Sequence, residues 1–366
     1  MASKRSPVLR VIPYVLVPVM VIGFAAAFAS THIRAFEVWL YRNEARYVTG
    51  GSSADLGGPN TLAVLLVGTG SPLPDKNRAG PATLVSAGGH LFLVDAGLDS
   101  ARNLMLWKVP LEKIDGILIT HFHSDHIAEL GEMRLQTWVA GRKSPLPVYG
   151  PPGIEQVVSG FNEAYALDAG YRTAHHGSAF LPPAAVALVA KPVAIAAGAT
   201  SPVLSSGGLT ITAIRVHHDP ATPAYGYRFD FHGRSVVVSG DTTPDEDLAR
   251  AARGADVLVH EGLSPQMVSL LGEALEENGH LRTAKIMHDI PGYHSSPVDA
   301  ARIANEAGVT LLVFTHLLPQ LPGDSAEQLF LDGVADVRPS GVVLGHDGLL
   351  VLLPDGSKDI DQANLQ

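Results

Sequence analysis

The sequence predicts an α/β protein, a sandwich of two sheets with helices outside. Two observations carry this. Apolar, β-rich runs alternate with helical patterns between residues 62 and 353, and the chain falls into two halves of similar make-up, each with strands followed by helices. Composition agrees: 366 residues, 46% hydrophobic, allow a sizeable core, and 37 Gly with 26 Pro supply many tight turns.

The N-terminus stands apart. Lys4, Arg5 and Arg10 precede an uncharged apolar run from Val11 to Thr31, about the length needed to cross a bilayer. Residues 1–31 therefore read as a signal anchor or signal peptide, with Ala27-Phe28-Ala29 as a cleavage pattern and the uncleaved anchor preferred. Pro13, Pro18 and the basic flank argue against a buried helix. This reading puts the rest of the chain in the periplasm or otherwise outside the cytoplasm, anchored to the inner membrane. Residues 32–60 read as a connector ending in the flexible GGSSADLGGPN, residues 61–356 as the folded domain and 357–366 as a polar tail.

Within the domain, strands are expected at 62–67, 90–95, 116–120, 209–216, 225–231, 235–240, 256–261, 310–316, 341–345 and 349–353. Helices are expected at Ser100–Trp107, Ile127–Ala140, Ile154–Ala166, Pro244–Ala252, Ser264–Glu277, Pro297–Ala307 and Ser325–Leu331. The Pro- and Ala-rich segment Phe180–Pro202 reads as a connection between the halves.

Charge and cysteine content narrow the chemistry. The net charge is −10 and no run of Lys or Arg follows the first ten residues, which argues against nucleic acid as the partner. The absence of cysteine excludes disulfides, thiolate zinc sites and cysteine nucleophiles, so any metal must rest on His, Asp or Glu. The stretch THFHSDHIAEL, Thr120 to Leu130, offers such ligands. A strand leads into His121; alternation then places His121 and His123 on one side, while Asp125 and His126 follow at a helix start. One turn can thus address two metals. His217-His218, Asp241 and His316 each lie just past an apolar strand, the edge where α/β proteins gather their sites.

In this order, THFHSDH, a histidine, the aspartate of SGDT and the histidine of FTH resemble the metallo-β-lactamase superfamily, over approximately Thr61 to Pro354. The resemblance implies a four-layer αβ/βα sandwich with a metal site along one edge. It implies that His121, His123 and His218 bind one metal, that Asp125, His126 and His316 bind the other, and that Asp241 bridges them. It selects His218 over His217, because HDPATPAYGYRF spaces the ligand before the next strand as family members do. Two Zn²⁺ per chain suit imidazole and carboxylate ligands, with Mn²⁺ or Fe²⁺ as alternatives. Such a pair lowers the pKa of a bridging water toward ~7 and stabilises charge on the attacked centre.

GTGSPLPDKNRAGPATLV leading to Asp95, VHEGL at Val259–Leu263 and YHSSPVDAARIA at Tyr293–Ala304 resemble the ribonuclease Z and arylsulfatase-type phosphodiesterase branch. The resemblance implies that His294 transfers a proton to the leaving group or contacts the attacked phosphate, and Asp125 is expected to orient the hydroxide. His260-Glu261 orients His294 or a ligand, and Asp95 supports a ligand from behind. His260 joins Asp125 and His294 as a candidate catalytic residue.

The stretch between His126 and His218 lacks the basic arm of a tRNA-clamping enzyme. Instead it offers an apolar helical lid with Tyr149, Phe161, Tyr165, Tyr171, His175 and His176 as candidate lining. Glu276–His280 form a second expected wall, with Arg282, Lys285 or His288 as anion contacts. The expected function is hydrolysis of a phosphodiester, sulfate ester or similar small ester. A lactonase or carboxylester hydrolase, a ribonuclease Z-type endonuclease and a non-catalytic periplasmic metal- or ligand-binding protein are the alternatives. The expected partners are a small-molecule ester and, through the N-terminal segment, a membrane, with homodimerisation possible.

Overall fold

Fifteen strands are present in the structure, a computed structural model that describes residues 8–50 and 53–365 and the side chains from residue 19 onward. Lys4 and Arg5 lie outside the described residues. The chain forms two units, an N-terminal helix and everything from Ser53 on.

The helix Val8–Thr49 is 42 residues long, and an 18-residue window of its stretch from Val19 has a mean hydropathy of 1.5 and is unburied. It is long and apolar enough to cross a membrane. The helix does not stop at Thr31. Residues 32–49, expected as a connector, contain neither Gly nor Pro and many good helix formers, so nothing ends the helix before Gly50.

In the second unit the strands are β1 Thr61–Gly68, β2 Ala82–Ala87, β3 His90–Val94, β4 Ile114–Leu118, β5 Leu146–Gly150, β6 Leu188–Pro192, β7 Thr200–Ser206, β8 Leu209–Val216, β9 Ala224–Phe231, β10 Arg234–Val238, β11 Val257–Leu263, β12 Leu311–Leu318, β13 Val342–Leu344, β14 Leu349–Pro354 and β15 Asp361–Asn364. One mixed sheet has the order β15-β14-β1-β2-β3-β4-β5-β6 and the other β13-β12-β11-β10-β9-β8-β7.

Strand β1 shows how the layers form. Leu62, Val64 and Leu66 pack between the sheets, while Ala63, Leu65 and Val67 face the helices outside. Both faces are buried, so the strand is apolar throughout. The second sheet is covered outside by Pro297–Ala307 and Glu246–Ala251, through Ala300, Ile303, Ala304, Leu248 and Ala249. The result is the expected helix-sheet-sheet-helix sandwich.

All ten expected strands are present, with ends that differ by a few residues. Of the five others, all but β2 have a reason in their sequence. β6 and β7 lie in or at the end of the segment expected as a connection, and each is the last strand of its sheet. Edge strands need little apolar surface; both are largely solvent-facing and so lack the hydrophobic signal. β15, in the expected polar tail, is exposed throughout. β5 carries Pro147 and Gly150, which read as breakers.

The two sheets are tied where the first delivers its chain to the site. The Tyr227 hydroxyl, on β9, donates to the carbonyl of Ile119 at 2.7 Å, and the Tyr225 amide donates to the carbonyl of Thr120 at 2.9 Å. Tyr227→Phe strands a buried carbonyl while keeping the ring. It should lower unfolding free energy by about 1–3 kcal/mol in urea titrations of the detergent-solubilised chain; a midpoint equal to that of the parent would remove this bond from the account.

Candidate metal centre

The site stands at one edge of the sandwich, where β4, β8, β10 and β12 end. After β4 the extended chain puts His121 and His123 on one side, and a short helix, Ser124–Ile127, brings in Asp125 and His126. β8 leads to His218, β10 to Asp241, and β12 contains His316.

Two backbone features aim these side chains. His316 falls where the pairing of β11 and β12 slips, between Thr315 opposite Glu261 and Leu317 opposite Gly262, and it adopts φ 46°. The extra residue is a bulge that turns the imidazole toward the other ligands. Gly240 has φ +63°, and a Cβ there would sit 2.5 Å from the Tyr225 carbonyl oxygen, so only glycine lets the chain turn into Asp241 at this point.

The side chains converge. His121, His123, His218 and Asp241 place ligand atoms within 4.8 Å of one another, as do Asp125, His126 and His316. Asp241 links the groups: its Oδ2 is 3.3 Å from Nε2 of both His126 and His316, and 3.8 Å from Nε2 of both His121 and His218. His123 turns Nδ1 to within 2.9 Å of His121 Nε2 and 3.2 Å of His218 Nε2.

Supporting hydrogen bonds hold the rings in place. His126 Nδ1 donates to Asp95 Oδ2 at 2.8 Å, and Asp95 also accepts from the Thr120 amide and hydroxyl. His218 Nδ1 donates to the Tyr293 carbonyl at 2.7 Å, and Thr120 Oγ1 accepts from His121 Nδ1 at 3.1 Å. Each bond leaves the far nitrogen, Nε2, facing the cluster.

The donor set fits divalent cations. His126 Nε2 and Asp241 Oδ1 are buried without a hydrogen-bond partner, which is costly unless a cation completes them. Burial, with help from neighbouring imidazoles, pushes His121 well below the ordinary histidine value, and burial also lowers His123 and His218. Neutral imidazoles offer the lone pair that binds a metal. Burial works against the Asp241 carboxylate, yet His316 and His126 outweigh it and hold Asp241 well below the usual carboxylate range.

A pocket of about 240 Å³ opens on the cluster, lined by His123, Asp125, Asp241 and His316, with Leu73 and Met287 among its apolar walls. His294 lines it too, buried, its Nδ1 donating to Glu261 Oε1 at 3.1 Å. Burial opposes charge on His294, but the Glu261 carboxylate outweighs it and raises the histidine above its ordinary value. Glu261 Oε1 also accepts from the amides of Thr242 and Ser295, the residues that follow Asp241 and His294, which fixes its carboxylate beside both segments.

Several expected positions need correction. His260 is fully buried and donates Nδ1 to the Glu261 carbonyl at 2.8 Å, so it cannot meet a substrate; its neighbour Glu261 does the orienting. His217, not expected as a ligand, stays outside the cluster, its ring bound to Asp245 at 2.7 Å. None of Tyr149, Phe161, Tyr165, Tyr171, His175 and His176 lines the pocket: Tyr149 and Phe161 pack against core clusters, and Tyr171 is 68% exposed. The wall comes instead from the helix Leu281–Asp289, through Ile286 and Met287, a helix that the expected elements omit. Lys285 and His288 are paired with Asp289 and Glu276, and neither lines the pocket.

Residues 90–317 match the family described as a beta-lactamase superfamily domain, a span that holds the whole cluster. The chain belongs to the metallo-β-lactamase superfamily. Within the superfamily it lies in the ribonuclease Z branch. Ribonuclease Z of Mycobacterium bovis (strain BCG / Pasteur 1173P2) is 39% identical over 270 residues, 73% of this chain and 90% of the relative. That of Mycolicibacterium gilvum is 40% identical over 266 residues, 72% and 86% of the two chains. Among solved structures, the short form of human tRNase Z superposes with a TM-score of 0.57 at 19% identity, covering 80% of this chain and 99% of that one. YhfI from Bacillus subtilis, a metallo-beta-lactamase fold protein, gives 0.58 at 21%, with the same coverage.

These relatives overturn one expectation. The acidic composition argued against nucleic acid, and the missing basic arm and the export reading argued for a small-molecule ester, but the similar proteins are named as ribonucleases, enzymes of RNA. Net charge is a sum over the whole chain, whereas a phosphate at a metal centre is met by local cations, which formal residue charge does not count.

Asp95 is the test of the supporting bonds. Asp95→Asn, which offers His126 an amide in place of a carboxylate, should weaken metal binding about 10- to 100-fold in chelator competition. Unaltered metal affinity would show that His126 needs no such partner.

Proposed function

We propose that this superfamily hydrolase is a ribonuclease Z-type endonuclease that cuts a phosphodiester in RNA, a tRNA precursor being its first test substrate. The observation that carries the reading is the 39% identity to a ribonuclease Z across 90% of that protein's length.

His121, His123 and His218 would hold one divalent cation, Asp125, His126 and His316 a second, with Asp241 shared. Imidazole and carboxylate donors suit zinc, with Mn²⁺ and Fe²⁺ as competitors. When bound, such cations acidify a water molecule and offset charge gathering on the phosphate. Asp125, on the pocket wall, accepts the proton that the attacking water gives up. His294, held by Glu261, carries the proton needed by the departing ribose oxygen. Leu73, Met287 and Ile290 keep bulk water from the reacting centre.

With the purified, metal-loaded chain and an end-labelled tRNA precursor, one endonucleolytic product is expected. His294→Ala should lower kcat about 10²- to 10⁴-fold while metal content stays unchanged. Turnover of lactones or carboxyl esters, with the RNA left intact, would reverse the assignment.

The apolar helix supports a second element of this reading, a membrane anchor. An RNA substrate puts the catalytic unit on the cytoplasmic face, in place of the expected periplasmic one. Protease should then digest that unit in inside-out membrane vesicles and spare it in intact spheroplasts; the opposite pattern would contradict the RNA reading.

A further inference from the structure

Residues 69–79, the greater part of the loop between β1 and β2, wall the site. Pro72 and Leu73 line the pocket that contains His294, and Ser71, Asp75 and Arg78 line a neighbouring cleft of about 350 Å³ that also reaches Asp125. The loop closes on itself, the Gly70 amide donating to the Ala79 carbonyl at 2.8 Å.

A single buried carboxylate holds both of its ends. Asp347, in the turn between β13 and β14, accepts at Oδ1 from the amide and the hydroxyl of Thr69, at 2.9 and 2.7 Å. Its Oδ2 accepts from the amide of Ala79 at 2.6 Å and from Asn103 Nδ2 at 3.3 Å. Each oxygen takes one foot of the loop. Both oxygens face donors, so an amide in this place would turn its NH₂ onto N–H or O–H groups whichever way round it sat.

Two further contacts extend the clamp. Arg78 Nη1 donates to Thr69 Oγ1 and to the Gly345 carbonyl, both at 2.7 Å, which turns this cation inward and leaves Lys76 as the exposed one. The Thr69 carbonyl accepts from the amide of Leu317 at 3.0 Å, the residue after His316. The loop's foot is thereby fixed against the strand that carries a cluster histidine.

We propose that Asp347 is the positioning residue of this substrate wall: by clamping Thr69 and Ala79 it sets where the 69–79 loop meets RNA. The inference rests on the ribonuclease reading for the identity of the substrate, and on the hydrogen bonds alone for the clamp. Asp347 is not among the residues that line the pocket or the neighbouring cleft, so its loss acts on substrate binding through the loop.

The test compares the full, metal-loaded chain with Asp347→Asn and with Thr69→Val, which keeps the side-chain shape and removes the hydroxyl's bonds to Asp347 Oδ1 and from Arg78 Nη1. For Asp347→Asn, KM for the tRNA precursor should rise about tenfold or more with kcat within about twofold. Tryptic cleavage after Lys76 should accelerate about tenfold, and zinc content should not change. Thr69→Val should move KM and cleavage in the same direction by a smaller factor, and it decides the matter if Asp347→Asn does not fold. Unchanged KM and unchanged cleavage in a folded variant, or a loss confined to kcat, overturns the proposal. If the parent chain cuts no RNA, the ribonuclease reading fails by itself, and cleavage after Lys76 alone then decides whether Asp347 clamps the loop.

Discussion

The carboxylate of Asp241 is the point on which the rest of the structure depends. It is buried, and one of its oxygens faces four imidazoles at 3.3–3.8 Å. A buried anion costs several kcal/mol unless positive or polar groups surround it. The imidazoles answer that cost only because four strands of two sheets end at the same edge. Gly240 turns the chain into Asp241, and the hydroxyl of Tyr227 holds the segment that leads to His121. The sandwich is thus a device for gathering groups that are up to 195 residues apart, as 121 and 316 are.

Around that centre the polar groups are graded by distance. Asp95, Thr120 and the Tyr293 carbonyl bind the outward nitrogens of the histidines and fix which nitrogen looks inward. Glu261 is fed by two backbone amides and binds His294, which keeps one protonatable group within 4.8 Å of ligand atoms of Asp241 and His316. Asp95 and His316 adopt positive φ, 60° and 46°, conformations that L-residues adopt at a cost and that cluster at functional sites.

The legible part of the site was the part carried by short-range spacing. His121, His123, Asp125 and His126 lie within six residues, and a strand followed by a helix start leaves few ways to arrange them. His218 was separable from His217 only through the resemblance, because adjacent residues on an extended chain point apart and either could face the site. The aromatic lid was misread for a related reason: Tyr149 and Phe161 have the same composition whether they face a pocket or pack in a core. Edge strands β6 and β7 were silent because solvent, not apolar contact, covers them. Asp347 carried no signal at all, since its partners Thr69 and Ala79 are 278 and 268 residues away.

By itself the sequence determined the α/β sandwich, the apolar N-terminal segment and the residue types from which a metal cluster can be built, because periodicity and local spacing are one-dimensional properties. Only the tertiary structure decided that Glu261 and not His260 holds His294, and that the pocket is walled by the 69–79 loop and the helix Leu281–Asp289. Those outcomes depend on which strands become neighbours and on single backbone turns such as the bulge at His316. Long-range pairing of that kind is set by the packing of both sheets at once.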